Sequence, residues 1–225
     1  MNEPAGRMPV VVLVSGRGSN LQAIIDAADQ GRIPATIEAV VSDSADAFAL
    51  ERARRASIAA LTLIRRDFPD RLAYDAALAD LIESHNPGLV VLAGFMRILG
   101  PATVQRYAGR MLNIHPSLLP AYAGLDTHRR VIEAGEIETG ASVHFVTETL
   151  DAGPAIIQAR VPVKPDDDAD RLAARVLERE HQIYPMAIGW FAEGRLEMRD
   201  GRAWLDGKPL DEPIRLEQAT KSSAA

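Results

Sequence analysis

The sequence predicts an α/β fold in which a mostly parallel, twisted sheet carries helices on both faces. The first observation is that runs such as residues 10–14 and 89–93 are apolar throughout, as in strands buried on both faces. The second is that such runs alternate, through the first half of the chain, with segments of helical spacing. This alternation is typical of βαβ units, and it predicts a parallel sheet covered by helices.

The elements of the first half follow one another with short connections. The strand over 10–14 passes through a glycine-rich turn into a helix over 21–28. A strand over 37–41 precedes a helix over 45–56, in which Ala49, Leu50 and Ala53 share one side. The remaining predicted elements are a strand over 60–64, a helix over 71–84, the strand over 89–93, a short helix over 101–107 and a strand over 111–115.

The second half is predicted to add antiparallel strands. The segments 141–146 and 155–163 have strand composition, and the long loop between them is a candidate functional loop. A helix over 168–191 follows, and Asp200-Gly201 marks the turn of a hairpin over 194–205. Because no linker separates two units, we expect a single domain over 1–225, with a core over about 9–206 and a disordered tail over 213–225.

Composition excludes several classes of site. The chain has no cysteine, which excludes disulfides, thiol catalysis and cysteine zinc sites. Its five histidines lack metal-ligand spacing, and a net charge of −6 argues against a broad nucleic-acid surface. No apolar run approaches the roughly 18 residues of a membrane span. We therefore expect a cytoplasmic protein that binds small molecules and no metal, nucleic acid or membrane.

Two polar side chains interrupt the apolar strand over 111–115. Asn113 and His115 are two residues apart, so in an extended strand they project from the same face. Pro116 ends the strand, and ligands of open α/β sheets bind at the carboxyl ends of strands. An amide donor beside a proton carrier suits acyl-group chemistry. The alternative is a structural strand end with a satisfied histidine.

The turn after the first strand, Ser15-Gly16-Arg17-Gly18-Ser19-Asn20, is a candidate anion site. Glycines let backbone N–H groups approach a phosphate, and the following helix N-terminus favours negative charge. The turn lacks the Gly-Lys-Ser/Thr ending of a Walker loop, and Leu21 stands at the third glycine of the dinucleotide fingerprint. A monophosphate fits better. The alternative is a tight turn with Ser19 or Asn20 as helix N-cap.

Other polar residues have weaker claims to chemistry. Asp151 lies in a Leu-Asp-Ala-Gly-Pro turn, and its claim depends on whether that loop folds back over His115. His144 alternates with apolar neighbours, which indicates a half-buried strand histidine rather than a catalyst. For His128 a role near a helix start or in a ligand contact stays open. The Asp166-Asp167-Asp168 run is interpreted as a solvated helix start.

Four segments carry a family resemblance. They are Ser-Gly-Arg-Gly-Ser-Asn-Leu-Gln-Ala-Ile at 15–24, Leu-Ala-Gly-Phe-Met-Arg-Ile-Leu at 92–99, Asn-Ile-His-Pro-Ser-Leu-Leu-Pro at 113–120 and Ser-Val-His-Phe-Val-Thr at 142–147. Together they resemble the folate-dependent phosphoribosylglycinamide formyltransferase family. The resemblance runs from about residue 10 to 205. It implies the Rossmann-like formyltransferase fold. It also implies transfer of a formyl group from 10-formyltetrahydrofolate, as co-substrate, to the amino group of glycinamide ribonucleotide in purine biosynthesis.

The resemblance also implies site residues, carried over by matching position. The catalytic residues would be Asn113, His115 and Asp151. The ribonucleotide would bind Gly18, Ser19, Asn20 and Glu180. The folate would bind Arg71, Met96, Arg97, Ile98, Leu99, Asn113, Thr147, Glu148, Thr149, Leu150 and Asp151.

The chain departs from the family pattern at a few positions. Ala123 replaces a proline that many members have, which is expected to loosen the loop beside the site, and Asp126 replaces a histidine found in some members. Rival interpretations are a formyltetrahydrofolate hydrolase, whose family has an extra N-terminal domain, and methionyl-tRNA formyltransferase, which has an added C-terminal barrel. A non-catalytic nucleotide-binding module and a homodimer are also left open.

Overall fold

The computed structural model describes residues 6–216, which form a mixed eight-stranded sheet and a small three-stranded sheet. In spatial order the large sheet contains β11 (Ile214–Leu216), β7 (Ala155–Pro162), β6 (Glu138–Phe145), β5 (Met111–His115), β4 (Leu89–Leu92), β1 (Met8–Val14), β2 (Ala35–Ser42) and β3 (Ala59–Thr62). The small sheet contains β10 (Lys208–Pro209), β9 (Arg202–Leu205) and β8 (Leu196–Arg199). The helices are α1 (Ser19–Asp29), α2 (Phe48–Arg55), α3 (Arg71–Glu83), α4 (Pro101–Arg106), α5 (Thr127–Glu133) and α6 (Ala169–Ala192), with a 3₁₀ turn at Arg65–Asp67.

The sheet is parallel through its first five strands and antiparallel where β6 joins. β1 pairs in parallel with β2 and β4, β2 pairs with β3, and β4 pairs with β5. β6 runs antiparallel to both β5 and β7. The predicted α/β fold with antiparallel additions in the second half is therefore confirmed. The hairpin predicted around Asp200-Gly201 is β8–β9, whose ends Arg199 and Arg202 pair.

The apolar sequence of β1 is explained by packing on both faces of the sheet. Val10, Val12 and Val14 are fully buried in the apolar cluster that includes residues of α1 and α6. Val11 and Leu13 are buried in a second cluster, which includes residues of α3 and α4. Because both faces are covered over residues 10–14, a polar side chain at any of these five positions would be buried.

Aspartate side chains cap the N-termini of two helices, α3 and α6. The Asp70 carboxylate accepts a hydrogen bond from the Ala73 backbone N–H, and Asp168 accepts from Arg171 in the same way. Such caps satisfy N–H groups that have no partner within the helix. The capping role of Asp168 supports the interpretation of its acidic run as a helix start.

Two short strands were not predicted. β10 pairs with β9, and β11 pairs in parallel with β7 at the sheet edge. The prediction of a disordered tail from 213 is therefore wrong for Ile214–Leu216, because these residues find a partner far away in sequence that local composition does not reveal. Residues 217–225 lie outside the described part of the chain. Between residues 6 and 216, no helix combines the length and apolar character that a membrane span requires.

Candidate active site

The carboxyl ends of β1, β4 and β5 bring the predicted site residues to one edge of the sheet. The loop after β1 leads into α1, the segment after β4 contains 96–99, and β5 ends with His115. Asn113 lies opposite Leu92 of β4 on one side and opposite His144 of β6 on the other. The sheet register therefore places the two polar residues of β5 between a parallel and an antiparallel neighbour.

His115 faces an acceptor at each ring nitrogen. Its Nδ1 lies 3.5 Å from Oδ2 of Asp151, and its Nε2 lies 3.0 Å from the carbonyl oxygen of Tyr122. Both His115 and the Asp151 side chain are almost completely buried. Because a carbonyl and a carboxylate only accept, an imidazolium, which donates from both nitrogens, satisfies the two contacts together. The arrangement suits His115 as a charged hydrogen-bond donor.

Asp151 is held over the strand end by its own loop. It adopts a left-handed backbone conformation with φ of 52°, and its Oδ2 accepts a hydrogen bond of 2.9 Å from the Gly124 N–H. The loop between β6 and β7 thus folds back onto β5, which is the contact that sequence spacing left undecided. The three residues Asn113, His115 and Asp151 lie together at one site.

The loop around Ala123 is tethered by Arg130. The Arg130 guanidinium donates to the carbonyl oxygens of Ala123, at 2.7 Å, and Leu125, at 3.2 Å. These bonds, together with the bond from Gly124 to Asp151, connect this loop to α5 and to the β6–β7 loop. The loosening expected from Ala123 stays a prediction.

Gly153 allows the β6–β7 loop to return against β6. A Cβ at this position would lie 1.8 Å from the Phe145 carbonyl oxygen, a contact that backbone atoms must move to relieve. We expect Gly153→Ala to lower the free energy of unfolding by about 1–3 kcal/mol, the usual cost of overpacking, and to lower turnover by displacing Asp151. Urea denaturation and steady-state kinetics measure both effects. Ala152→Ser, at an exposed position of the same loop, is the control, and equal stability of the two variants would contradict the account.

The loop after β1 presents an uncapped helix N-terminus. Gly18 is the N-cap of α1, with φ of 70°, and no side chain caps the helix. A Cβ on Gly18 would lie 2.6 Å from the Ala49 Cβ, so only glycine fits between the loop and α2. The alternative in which Ser19 or Asn20 is the N-cap is therefore wrong. The first N–H groups of α1 remain available to an anion.

The Asn20 side chain is used within the protein. Its Nδ2 donates to Oε2 of Glu180 on α6 at 2.6 Å, and both side chains are buried. Burial raises the pKa of Glu180, and the bond from Asn20 opposes that shift. The amide nitrogen of Asn20 is thus bound to Glu180 rather than free for a phosphate, and an anion-binding role of the Ser19 hydroxyl and the backbone N–H groups stays a prediction.

Eight of the eleven predicted folate residues line one cleft, whereas Arg71, Met96 and Thr149 do not line it. Arg71 braces this cleft by donating to the Ile98 carbonyl oxygen at 3.1 Å, and Arg97 is ion-paired with Asp43 at 2.6 Å. Met96 is exposed, and the Thr147 hydroxyl donates to the Thr149 carbonyl oxygen. The residues that line the cleft are Leu92, Arg97, Ile98, Leu99, Val104, Asn113, His144, Val146, Thr147, Glu148, Leu150 and Asp151.

His144 is the site residue that the sequence reasoning missed. It is 2% exposed and contacts both Asn113 and Asp151, whereas its alternation with apolar residues predicted a half-buried strand histidine. Only the cross-strand register of β5 with β6 places it opposite Asn113. His128, near the start of α5, has a pKa lowered by burial and by the nearby His115. Within residues 6–216, no group of three or more histidine, aspartate or glutamate side chains could hold a metal ion.

Comparisons with known proteins identify relatives of the chain. Residues 8–188 match the family model described as formyl transferase. The chain is 59% identical over 203 residues to phosphoribosylglycinamide formyltransferase from Escherichia coli K12. The match covers 90% of this chain and 96% of that protein.

Solved structures show the same relationship. The structure of phosphoribosylglycinamide formyltransferase from Coxiella burnetii has a TM-score of 0.89 and 49% identity, and the match covers 93% of this chain and 99% of that one. A formyltetrahydrofolate deformylase from Pseudomonas syringae has a TM-score of 0.83 but only 25% identity, over 89% of this chain and 66% of that one. The chain belongs to the formyl transferase family and, within it, to the phosphoribosylglycinamide formyltransferases.

Proposed function

We propose that the chain transfers the formyl group of 10-formyltetrahydrofolate to the amino group of glycinamide ribonucleotide, giving formylglycinamide ribonucleotide and tetrahydrofolate in purine biosynthesis. The observation that supports the proposal is the contact of His115 with Asp151 beside a cleft that Asp151 and Asn113 both line, at the sheet edge where the uncapped helix α1 follows β1. An anionic acceptor and a formyl donor can thus meet at one strand end. The 59% identity to a protein named for this reaction supports it.

The reaction assigns different tasks to the three central residues. An α-amino group has a pKa of about 7.7–8.0, so a useful fraction is neutral near pH 7 and attacks the formyl carbon. Asn113 donates an amide N–H to the developing oxyanion, and His115 supplies the second donor when its Nε2 turns from the Tyr122 carbonyl oxygen to the oxyanion. The attacking amine loses a proton and the folate nitrogen gains one, a relay for which His115 and Asp151 are placed. This chemistry requires no metal.

Binding of the ribonucleotide uses the beginning of α1. Its phosphate accepts bonds from the Ser19 hydroxyl and the first N–H groups, where the helix dipole is favourable. The family resemblance also assigns Glu180, which accepts the hydrogen bond from Asn20, to this substrate. The folate occupies the cleft beside Asn113, with its ring held by the segment 96–99 and by the loop that contains Asp151.

We predict that Ser19→Ala raises the KM for glycinamide ribonucleotide by about 10-fold or more, because a hydrogen bond to a charged group contributes about 1.5–3 kcal/mol. The KM for 10-formyltetrahydrofolate should stay within about 2-fold, since the cleft that would hold the folate does not include Ser19. Steady-state kinetics with each substrate varied in turn measures both values. Ser84→Ala, after the end of α3, is the matched control. A rise confined to the folate KM would show that the two pockets are assigned wrongly.

Tetrahydrofolate formation with and without glycinamide ribonucleotide tests the function against its rivals. We expect formation only when the ribonucleotide is present. Steady formation without it would select the hydrolase, to which the Pseudomonas deformylase structure is related in fold. Ligand binding without turnover in either condition would select the non-catalytic module.

Three further expectations belong to this proposal. The chain acts as a single formyltransferase domain, it works in the cytoplasm, and its partners are the two small-molecule substrates. A homodimer stays a prediction, which analytical ultracentrifugation tests.

A further inference from the structure

His144 is a buried polar side chain that the proposed reaction does not use. It lies on β6 with three polar neighbours. Its Nδ1 is 2.8 Å from the Phe145 carbonyl oxygen, and its Nε2 is 3.0 Å from Nδ2 of Asn113. Its Nε2 also lies 3.8 Å from Oδ1 of Asp151, beyond hydrogen-bond distance. These contacts connect His144 to two of the three proposed catalytic residues.

The carbonyl of Phe145 determines the tautomer of His144. A carbonyl oxygen only accepts, so Nδ1 of the ring carries the hydrogen. Burial lowers the pKa of His144, although the bond to Phe145 and the charge of Asp151 oppose the shift and His115 adds to it. The ring is therefore neutral at pH 7, and Nε2 presents a lone pair to Asn113.

This lone pair determines the orientation of the Asn113 amide. A carboxamide can turn by 180°, which exchanges its donor nitrogen and its acceptor oxygen. With an acceptor at 3.0 Å, only the orientation that presents Nδ2 forms a hydrogen bond, since the reverse places two lone pairs together. One N–H of Asn113 then binds His144, and the second N–H of the same nitrogen stays available in the cleft that both residues line.

Because its ring is neutral, His144 does not compete with His115 for the carboxylate of Asp151. A protonated His144 would carry an Nε2–H, which could donate to Oδ1 of Asp151 or to a reversed Asn113 amide. The first change would draw Asp151 away from His115, and the second would turn the N–H of Asn113 away from the reacting carbonyl. The titratable groups that face His144 are Asp151 and His115, and the distances favour the pair of Asp151 with His115.

From this geometry we propose that His144 is a positioning residue, which holds the Asn113 amide with its N–H toward the reacting carbonyl. The proposal rests on the proposed formyl transfer. It differs from a packing role, because it requires an acceptor at the position of Nε2 and does not require an aromatic ring. Two substitutions of similar volume separate these possibilities.

The test compares His144→Leu with His144→Gln in the purified enzyme. Leucine fills space without an acceptor, whereas the glutamine carbonyl oxygen can reach the position of Nε2. We expect His144→Leu to lower kcat by about 10²-fold, the lower end of the loss of an oxyanion donor, with the KM for the ribonucleotide within about 2-fold. His144→Gln should recover at least about 10-fold of that loss. Equal kcat in the two variants, or full activity of the leucine variant, would overturn the proposal.

A second readout needs neither turnover nor a variant. Nitrogen-15 NMR of the imidazole in the wild-type chain, without substrates, should show His144 protonated at Nδ1 and unprotonated at Nε2 at pH 7. A ring protonated at Nε2 would overturn the proposal even if both variants fail to fold. If the wild-type chain transferred no formyl group while the ring showed the expected tautomer, the failure would belong to the proposed function instead.

Discussion

Replacement of Asp151 by asparagine is expected to lower kcat by about 10²–10⁴-fold, the range that a positioned proton-transfer group contributes. Asparagine keeps the size of the side chain and the acceptor for the Gly124 N–H, and it tolerates the left-handed backbone at this position. It removes the negative charge beside Nδ1 of His115, 3.5 Å away. His115 therefore loses the carboxylate beside its Nδ1, while the fold and the binding clefts stay intact.

Steady-state kinetics, with urea denaturation to verify stability, measure this effect. Asp126→Asn is the matched control, because Asp126 shares the left-handed conformation but lies exposed and paired with Arg129. It should keep turnover within about 2-fold. A folded Asp151→Asn enzyme with the turnover of the wild type would remove Asp151 from the mechanism.

The second large effect is expected for Asn113→Leu, which should lower kcat by about 10²–10³-fold. Leucine has a similar volume but offers no N–H to the oxyanion that develops on the formyl group. The substitution also leaves Nε2 of His144 without its partner, so some loss of stability accompanies it. The effect on turnover should exceed the effect on the KM of either substrate, because the bond strengthens only in the transition state.

Asn113→Asp tests whether turnover depends on the hydrogen-bond donor of Asn113 or only on the size and shape of its side chain. Aspartate matches asparagine in size, but as a carboxylate it accepts hydrogen bonds and repels an oxyanion. It should be at least as impaired as Asn113→Leu. An aspartate variant with kcat within about 5-fold of the wild type would contradict the assignment of Asn113 as an oxyanion donor.

The parallel core could be predicted because its causes are local. A strand such as β1 is covered on both faces, so its sequence is apolar at every position. The edge strand β11 could not be predicted, since Ile214 and Leu216 are ordered by pairing with β7 and not by their neighbours in sequence.

The candidate site likewise has residues that could be predicted from the sequence and residues that could not. Asn113 and His115 are visible in the sequence because two polar residues on one face of an apolar strand need a reason. The contact of Asp151 with His115 depends on how a loop folds back, and the place of His144 depends on strand register. Neither the contact of Asp151 nor the position of His144 can be deduced from the local sequence pattern. The resemblance to a family supplied Asp151 but gave no role to His144.

The fate of an isotopically labelled formyl group tests the central claim most directly. The chain is mixed with 10-formyltetrahydrofolate labelled at the formyl carbon and with glycinamide ribonucleotide, and the products are separated. The account predicts that the label appears as a formamide on the former amino nitrogen of the ribonucleotide, one equivalent for each tetrahydrofolate formed. Label recovered as free formate, with the ribonucleotide unchanged, would contradict it.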